Sequence, residues 1–567
     1  MEVTSYRTPE LFRSETSPNI ISKIPFGYSA FSLNRDELSE IMKTRNDYIK
    51  FSLPHETKTI NILLKQVSII TPDFSLLYDR GTYSNAFLGL HYQGVVQGDP
   101  NSIVAFSIFN DEITGLIATK NETLEFGKLR NETLHVLGKG GMRVLENWCA
   151  TRDSIIISKS DVILTTEQTE TAKCVRVYIE VAHDIFLNKG GLSGATNYIL
   201  GLFNQSNAIY SAENITVTLS QIFVWTSPSP FSGNNSTAKL NSFQNYRTSF
   251  NGDVAHLVDL ASSMGGIAAG FNAFCGNNSE KMCYSGIESY YNNVPTYSWS
   301  VMVFTHEMGH LFSSRHTHAC VWNGNNTAID GCAGYTEGGC PLPGNPSNGG
   351  TIMSYCHLNV GINFLNGFGL QPGNLIRNRI NNATCLNASC CPDNLTISFP
   401  VNNPIKYEVN NNITANSLVN PNNGQILFDG GRSVILNPGF STSTAANFFE
   451  AFIDGCGGLR RSVSKTLDSN TMITYKTNSL KKSNNKPYSL LPRIYPNPSN
   501  GIIYINIKDI SETLVKIEIH DLTGKQMLTI NRLFNLNSID ISKFVSGIYI
   551  VSIKSGNTEE RYKIVKY

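Results

Sequence analysis

Residues 301–316 read VMVFTHEMGHLFSSRH. His306 and His310 stand four apart, so on a helix they project from one face a turn apart, where two imidazoles can share one ion. Glu307 lies beside them, one residue round. Val301, Phe304, Met308 and Leu311 form an apolar stripe, which at about 100° per residue is centred roughly 160° from the two histidines. The segment therefore predicts a helix with a core side and a site side. Two histidines on an amphipathic helix could also be satisfied core residues. The carboxylate between them and a third histidine, His316, six residues beyond His310, argue for a metal site instead, because three neutral imidazoles are a common zinc ligand set.

Outward from this helix the chain reads as α/β. VRVYIEVAHDIF (175–186) is a buried strand, GATNYILGLFNQSNAIYSA (194–212) has helical spacing, ITVTLSQIFVW (215–225) is a strand, and DVAHLVDLAS (253–262) follows. Residues 1–160 alternate short β-like runs, INILLKQVSII, SIVAFSIF and TLHVLGK, with turn signals such as QGDPNS, which reads as a small β-rich domain. Near Asn381 the texture changes to short β segments punctuated by Asn, Gly and Pro. Residues 459–492 read as a linker. From Ile494 the pattern is β again: Ile503, Ile505 and Ile507 alternate with Tyr504 and Asn506, and Val515, Ile517 and Ile519 with Lys516, Glu518 and His520, a small sandwich. No extended repeat array is present.

Composition narrows the function. Of 567 residues 41% are hydrophobic, enough for several cores, and only 16% are charged, against about 25% in an ordinary soluble domain. Lys+Arg 45 against Asp+Glu 44 leaves +1, which argues against nucleic acid or an anionic membrane as the main partner. No apolar run approaches the roughly 18 residues of a membrane span. Most of the twelve cysteines lie beyond Cys275 among Gly, Asn and Pro. That crowding predicts disulfides in an oxidising compartment over thiolate metal binding, since no CxxC stands opposite another. The start, MEVTSYRTPELF, has neither the basic nor the apolar region of an export signal. The expectation is a sequence that begins inside its own N-terminal domain, without its signal peptide.

The pattern HExxHxxxxxH, followed by Met353 inside GGTIMSYCH, resembles the metzincin zinc endopeptidases. VRVYIEVAHDIF is similar to the first strand of the reprolysin (ADAM-type) catalytic domain, and GDVAHLVDLASSMGGIAAGF to its segment leading to the substrate-side strand. LHYQGVVQGDPNSIVAFSIFNDEITGLIATKNETLEF is similar to the pro-domain of that family, so the resemblance covers roughly residues 85–390. It implies a multidomain chain: an α/β metzincin catalytic domain (172–390) preceded by a β-rich pro-domain (1–165) and followed by small all-β modules and a C-terminal β-sandwich.

The resemblance also implies one catalytic zinc on His306, His310 and His316, a Met-turn at Met353, and Glu307 as general base for a zinc-activated water. Ser313 stands where the family has Gly, at a turn whose positive φ costs a non-Gly residue on the order of 1 kcal/mol. His318 is expected in a supporting loop. Glu337, a third ligand in the gluzincin alternative, is set aside because GYTEGGC reads as a loop. Tyr355 is either a stabiliser of the tetrahedral intermediate, as in astacin-like relatives, or a packed aromatic. Cys149 is either an inhibitory zinc ligand or a disulfide partner, with Cys174 the candidate. Glu180 and Asp253 match a reprolysin calcium site, although Cys385 and Asn387 do not reproduce its usual spacing.

At the C-terminus YPNPSNGIIYINI, VKIEIHDLTGKQML and the closing IDISKFVSGIYIVSIKSGNTEERYKIVKY resemble the sorting domain of the bacterial type IX secretion system, covering 493–567. Residues 391–458 resemble a short β module that often precedes it. The reading is a zinc metalloendopeptidase exported across the bacterial outer membrane, secreted or at the cell surface. Its expected partners are protein or peptide substrates and the secretion machinery, with no nucleic acid and no transmembrane segment. A rival reading is a surface adhesin on a catalytically weak metzincin fold; Ser313 favours it and the intact Glu307 opposes it. A second rival, a cytosolic protein, rests only on the missing leader.

Overall fold

A computed structural model describes residues 6–22, 24, 27–82, 87–129, 132–139, 148–151, 171–271, 273–288, 298–387, 390, 394–398, 401, 405–419, 425–442, 448–453, 455, 493–495, 501–506, 515–521, 525–532, 536–555 and 558–566. The expected linker at 459–492, Cys391 and Cys456 lie outside them, as does most of the YPNPSNG opening. The chain divides into two units, Met1–Leu467 and Asp468–Tyr567.

In the first unit the strands Ile70–Tyr78 (β1), Val175–Val181 (β2), Val217–Val224 (β3), Val254–Asp259 (β4), Gly266–Ala268 (β5) and Met282–Gly286 (β6) share one sheet, ordered β5-β6-β4-β2-β3-β1 with Gly81–Thr82 outside β1. All pairings from β6 to β1 are parallel, and β5 alone runs antiparallel on β6. Strands covered on both faces need no polar alternation; β4 and β6 are accordingly buried throughout. Helix Leu192–Ala212 (α1) crosses between β2 and β3. It is buried at nearly every position after its first turn, because it lies between this sheet and a second, nine-stranded antiparallel sheet built from residues 12–139. There the two-residue period is plain: Val104, Phe106 and Ile108 join one apolar core, while Ile103 and Ala105 face the other.

Two sequence expectations change. VRVYIEVAHDIF is a strand only to Val181, and His183–Asn188 is a helix, begun where the Asp184 carboxylate accepts from Ile185 N (2.8 Å) and Leu260 N (2.9 Å). Residues 70–78 leave the N-terminal sheet and extend the α/β sheet beside β3.

Among the described residues four disulfides brace this unit: Cys174–Cys390, Cys275–Cys385, Cys320–Cys340 and Cys332–Cys356. Residues 394–455 form a short solenoid of stacked parallel strands. Ile405 pairs with Ile426 and Ile413 with Val434, a coil of twenty-one residues that the sequence reading passed over. In the second unit a three-stranded and a four-stranded sheet share a core that includes Ile503, Ile517, Ile519, Ile539, Val551 and Ile553.

Candidate metal centre

Helix Ser298–Leu311 (α2) is buried at every residue. Its first turn is held from the N-terminal sheet, where the Glu125 carboxylate accepts from both the backbone N–H and the hydroxyl of Ser298. His306 and His310 face the same way, with ring centroids 4.5 Å apart. The helix stops at Ser313, whose φ of 86° is the left-handed geometry expected of Gly there. Ser313 N donates to His310 O (2.8 Å) and Ser314 N to Gly309 O (3.0 Å), and the chain swings back to bring His316 Nε2 to 3.1 Å from His310 Nε2.

The protons on these rings follow from their partners. His306 Nδ1 lies 2.7 Å from Ile352 O and His310 Nδ1 2.8 Å from Ser314 O; a carbonyl only accepts, so both Nδ1 atoms carry hydrogen. His316 Nδ1 lies 2.9 Å from Glu337 Oε1, and hydrogen bonds from His316 and His318 hold that carboxyl well below its usual range against the opposing effect of burial. Each Nε2 is therefore a bare lone pair. His306 Nε2 has no hydrogen-bond partner among the described residues, and the other two point at each other with no proton between them. Burial pushes all three imidazoles down, keeping them neutral. Three convergent lone pairs in a buried site fit a metal cation.

The fourth corner is Cys149, whose Sγ lies 3.5 Å from His310 Nε2 and 3.8 Å from Glu307 Oε2. The ligand atoms of Cys149, His306, His310 and His316 all lie within 4.8 Å of one another. Cys174 is bonded to Cys390, which removes it as a partner for Cys149, and Cys149 is a free, buried thiol. Its segment lies along the edge strand β5: Gly266 N donates to Trp148 O (2.7 Å), Ala150 N to Gly266 O (3.0 Å), and Ala268 N to Thr151 Oγ1 (2.8 Å). Thr151 Oγ1 in turn donates to Glu307 Oε2 (3.3 Å). A Cβ on Gly266 would lie 2.4 Å from Glu307 Oε1, so only glycine leaves room for the carboxylate there. Burial pushes the Glu307 carboxyl up to about 8 and raises the Cys149 thiol, to which the Glu307 charge adds.

The remaining expected residues divide. Met353 is buried against Gly309 of α2, where any Cβ would lie 2.7 Å from its sulfur, and its carbonyl accepts from Thr317 N (3.1 Å). Tyr355 is buried beside His316, with its hydroxyl donating to Cys149 O (3.2 Å). His318 stacks on His316 at 4.8 Å. Glu180 and Asp253, expected to share calcium, are not brought together. Arg247 (2.8 and 2.7 Å), Trp225 Nε1 (2.7 Å) and the Tyr178 hydroxyl occupy the Glu180 carboxylate. Asp253 accepts from Arg176 N (2.8 Å), at the other end of β2. Sequence reasoning missed the hydrogen bond of Glu337 to His316 and the place of Trp148 against His306, with centroids 4.3 Å apart.

Residues 171–361 match the sequence profile of Metallo-peptidase family M12, of the reprolysin type, and residues 493–567 that of the secretion system C-terminal sorting domain. The sorting domain marks the chain for type IX export to the cell surface or the extracellular space. Among the described residues no helix is long and apolar enough to cross a membrane. Among solved structures the chain is similar to metalloproteinase-II from Bacteroides fragilis, with 11% identity, 50% of this chain and 85% of that chain covered, and a TM-score of 0.33. It is also similar to a chaperone–substrate complex, with 11% identity, 49% and 38% covered, and a TM-score of 0.24. No curated protein matches it significantly.

Proposed function

We propose that this chain, which carries a reprolysin-type M12 metallopeptidase domain and a type IX sorting domain, is a secreted zinc-dependent endopeptidase made in a latent form. Residues 1–165 are its pro-domain, 172–390 the catalytic domain, 391–458 a β module, 459–492 a linker and 493–567 the export signal. The carrying observation is the convergence of three unprotonated Nε2 atoms and the Cys149 sulfur beside a buried glutamate. Zinc held by His306, His310 and His316 would supply Lewis acidity to a water and to the scissile carbonyl.

The chain's own residues do the rest. Glu307 takes a proton from the water whose oxygen adds to the carbonyl carbon, and delivers it to the amine nitrogen as the C–N bond breaks. The Trp148–Thr151 segment buries this carboxyl and occupies it with hydrogen bonds from Cys149 and Thr151; removal of the segment frees it to meet the water. Cys149, deprotonated on meeting the cation, would hold the fourth position, the one substrate needs. The Tyr355 hydroxyl, spent on Cys149 O in the latent form, becomes available to the developing oxyanion.

The test is Glu307→Gln. With both proteins activated by limited proteolysis, the variant should keep one zinc per chain by atomic absorption and lose the casein cleavage that the parent shows. Casein cleavage at the parent rate, or zinc far below one per chain in the parent, would refute the assignment.

A further inference from the structure

We infer that the site selects a large aromatic side chain on the residue flanking the scissile bond, in a pocket walled by Trp299, His306, Tyr355 and His357. The inference rests on the peptidase reading above and adds its substrate class. Trp148 immediately precedes the residue whose sulfur sits among the three histidines, and its backbone is already paired with the edge strand β5. A Cβ on Gly265 would lie 1.7 Å from Trp148 O, so this edge is shaped for the close approach of an extended chain. Any chain bound there with its carbonyl at the metal centre must place a flanking side chain where Trp148 now lies.

That place is an aromatic cage. The indole meets Trp299 edge-on at 5.5 Å, His306 at 4.3 Å, Tyr355 at 5.6 Å and His357 edge-on at 5.3 Å. Such tilted and T-shaped contacts favour an aromatic over an aliphatic occupant. All four of these contacts are made to the ring faces and edges, so Phe is an occupant of the same kind as Trp. Trp299 is fixed independently of any occupant, its Nε1 donating to Gly286 O (3.2 Å).

The experiment takes the zinc-loaded full chain, activated by limited proteolysis, and measures kcat/KM on peptides that differ only in one residue, Phe, Leu or Ala, beside the cleaved bond. The Phe peptide should exceed the Ala peptide on the order of 100-fold and the Leu peptide about threefold or more. Trp299→Ala should lower the Phe-to-Ala ratio by roughly tenfold or more. A parallel measurement needs no variant enzyme. The pentapeptide NWCAT should inhibit the parent enzyme on the order of tenfold more strongly than its Trp148→Ala counterpart. Equal cleavage of the three peptides, or equal inhibition by the two pentapeptides, overturns the aromatic pocket and leaves the peptidase reading standing. Failure to cleave any peptide or casein overturns the peptidase reading, and the pocket falls with it.

Discussion

Glu337 offers the sharpest test of how the centre is held. Its Oε1 lies 2.9 Å from His316 Nδ1, and its loop is pinned by the Cys320–Cys340 disulfide and by bonds from Glu337 N to His318 O (3.0 Å) and from Cys320 N to Glu337 O (2.7 Å). Truncation to Ala removes the acceptor that keeps hydrogen on Nδ1, so His316 is free to turn or to change tautomer and lose its lone pair at Nε2. Loss of such an outer partner weakens metal binding about 10- to 100-fold, or about 1.4–2.8 kcal/mol. This agrees with the roughly 1.5–3 kcal/mol of a hydrogen bond to a charged group. Glu337→Gln keeps an oxygen acceptor without the charge and should recover part of the loss. The assay is competition for zinc against a chromogenic chelator, with thermal unfolding followed on the metal-free proteins. Parent-like zinc affinity in a folded Glu337→Ala variant would refute the argument that this carboxylate sets the His316 tautomer.

Further outcomes follow from neighbouring features. Cys149→Ala should give the unprocessed chain peptidase activity that the parent lacks, measured on casein before any cleavage of the N-terminal region. Ser313→Gly relieves a φ of 86° and removes a buried hydroxyl with no partner among the described residues, so it should stabilise the fold by about 1 kcal/mol, read as a higher midpoint in denaturant. Asp79 is opposed by burial, yet hydrogen bonds from Ser227 and Thr226 hold it down at about 2, below about 3.9 for the unfolded chain. A depressed carboxyl contributes stability that is complete above the unfolded value and disappears as pH falls through the folded one. The tie between the end of β1 and the loop after β3 should therefore weaken between about pH 4 and pH 2, seen as lower amide-exchange protection in β1 relative to the unfolded chain at the same pH. Asp79→Ala should remove that pH step.

The elements legible in the sequence were those set by local periodicity. The apolar stripe of α2 and the four-residue spacing of His306 and His310 could be read locally, and the resemblance to metzincins pointed to His316 and Met353. What escaped were contacts made across long separations. Glu337 stands in a Gly-rich loop with nothing local to mark it, and a disulfide twenty residues wide delivers it to His316. Trp148 reaches His306 from more than 150 residues away in sequence. The strand at 70–78 carries the same alternation as its neighbours, so no pattern could say that it leaves one sheet for another. The solenoid did leave a trace: IKYEVNNNIT and ILFDGGRSVI start twenty-one residues apart and stack in register. Asn and Gly substitutions at the corner hid the repeat.

The N-terminal region does more than deliver Cys149. It adds β1 to the edge of the α/β sheet, tied by the Arg176–Asp73 ion pair and by Gln221 Nε2 to Ser75 Oγ (2.6 Å). It also covers α1, with polar contacts, Gln93 Nε2 reaching Asn207 Oδ1 (2.7 Å) and Asn204 Nδ2 reaching Ser107 Oγ (3.0 Å), and with apolar ones from Ile103, Ala105, Leu116 and Ala118. If the region departs, water can take up the polar groups, whereas the apolar face of α1 would be exposed. Two further losses would follow. The first turn of α2 would lose Glu125 as acceptor, at about 1 kcal/mol for a lost cap, and β3 would become an exposed parallel edge. Activation by removal of residues 83–170 alone would spare the edge but not the cap or the apolar cover of α1. The helix that carries His306, Glu307 and His310 is thus the element whose stability should respond most directly to loss of the N-terminal sheet.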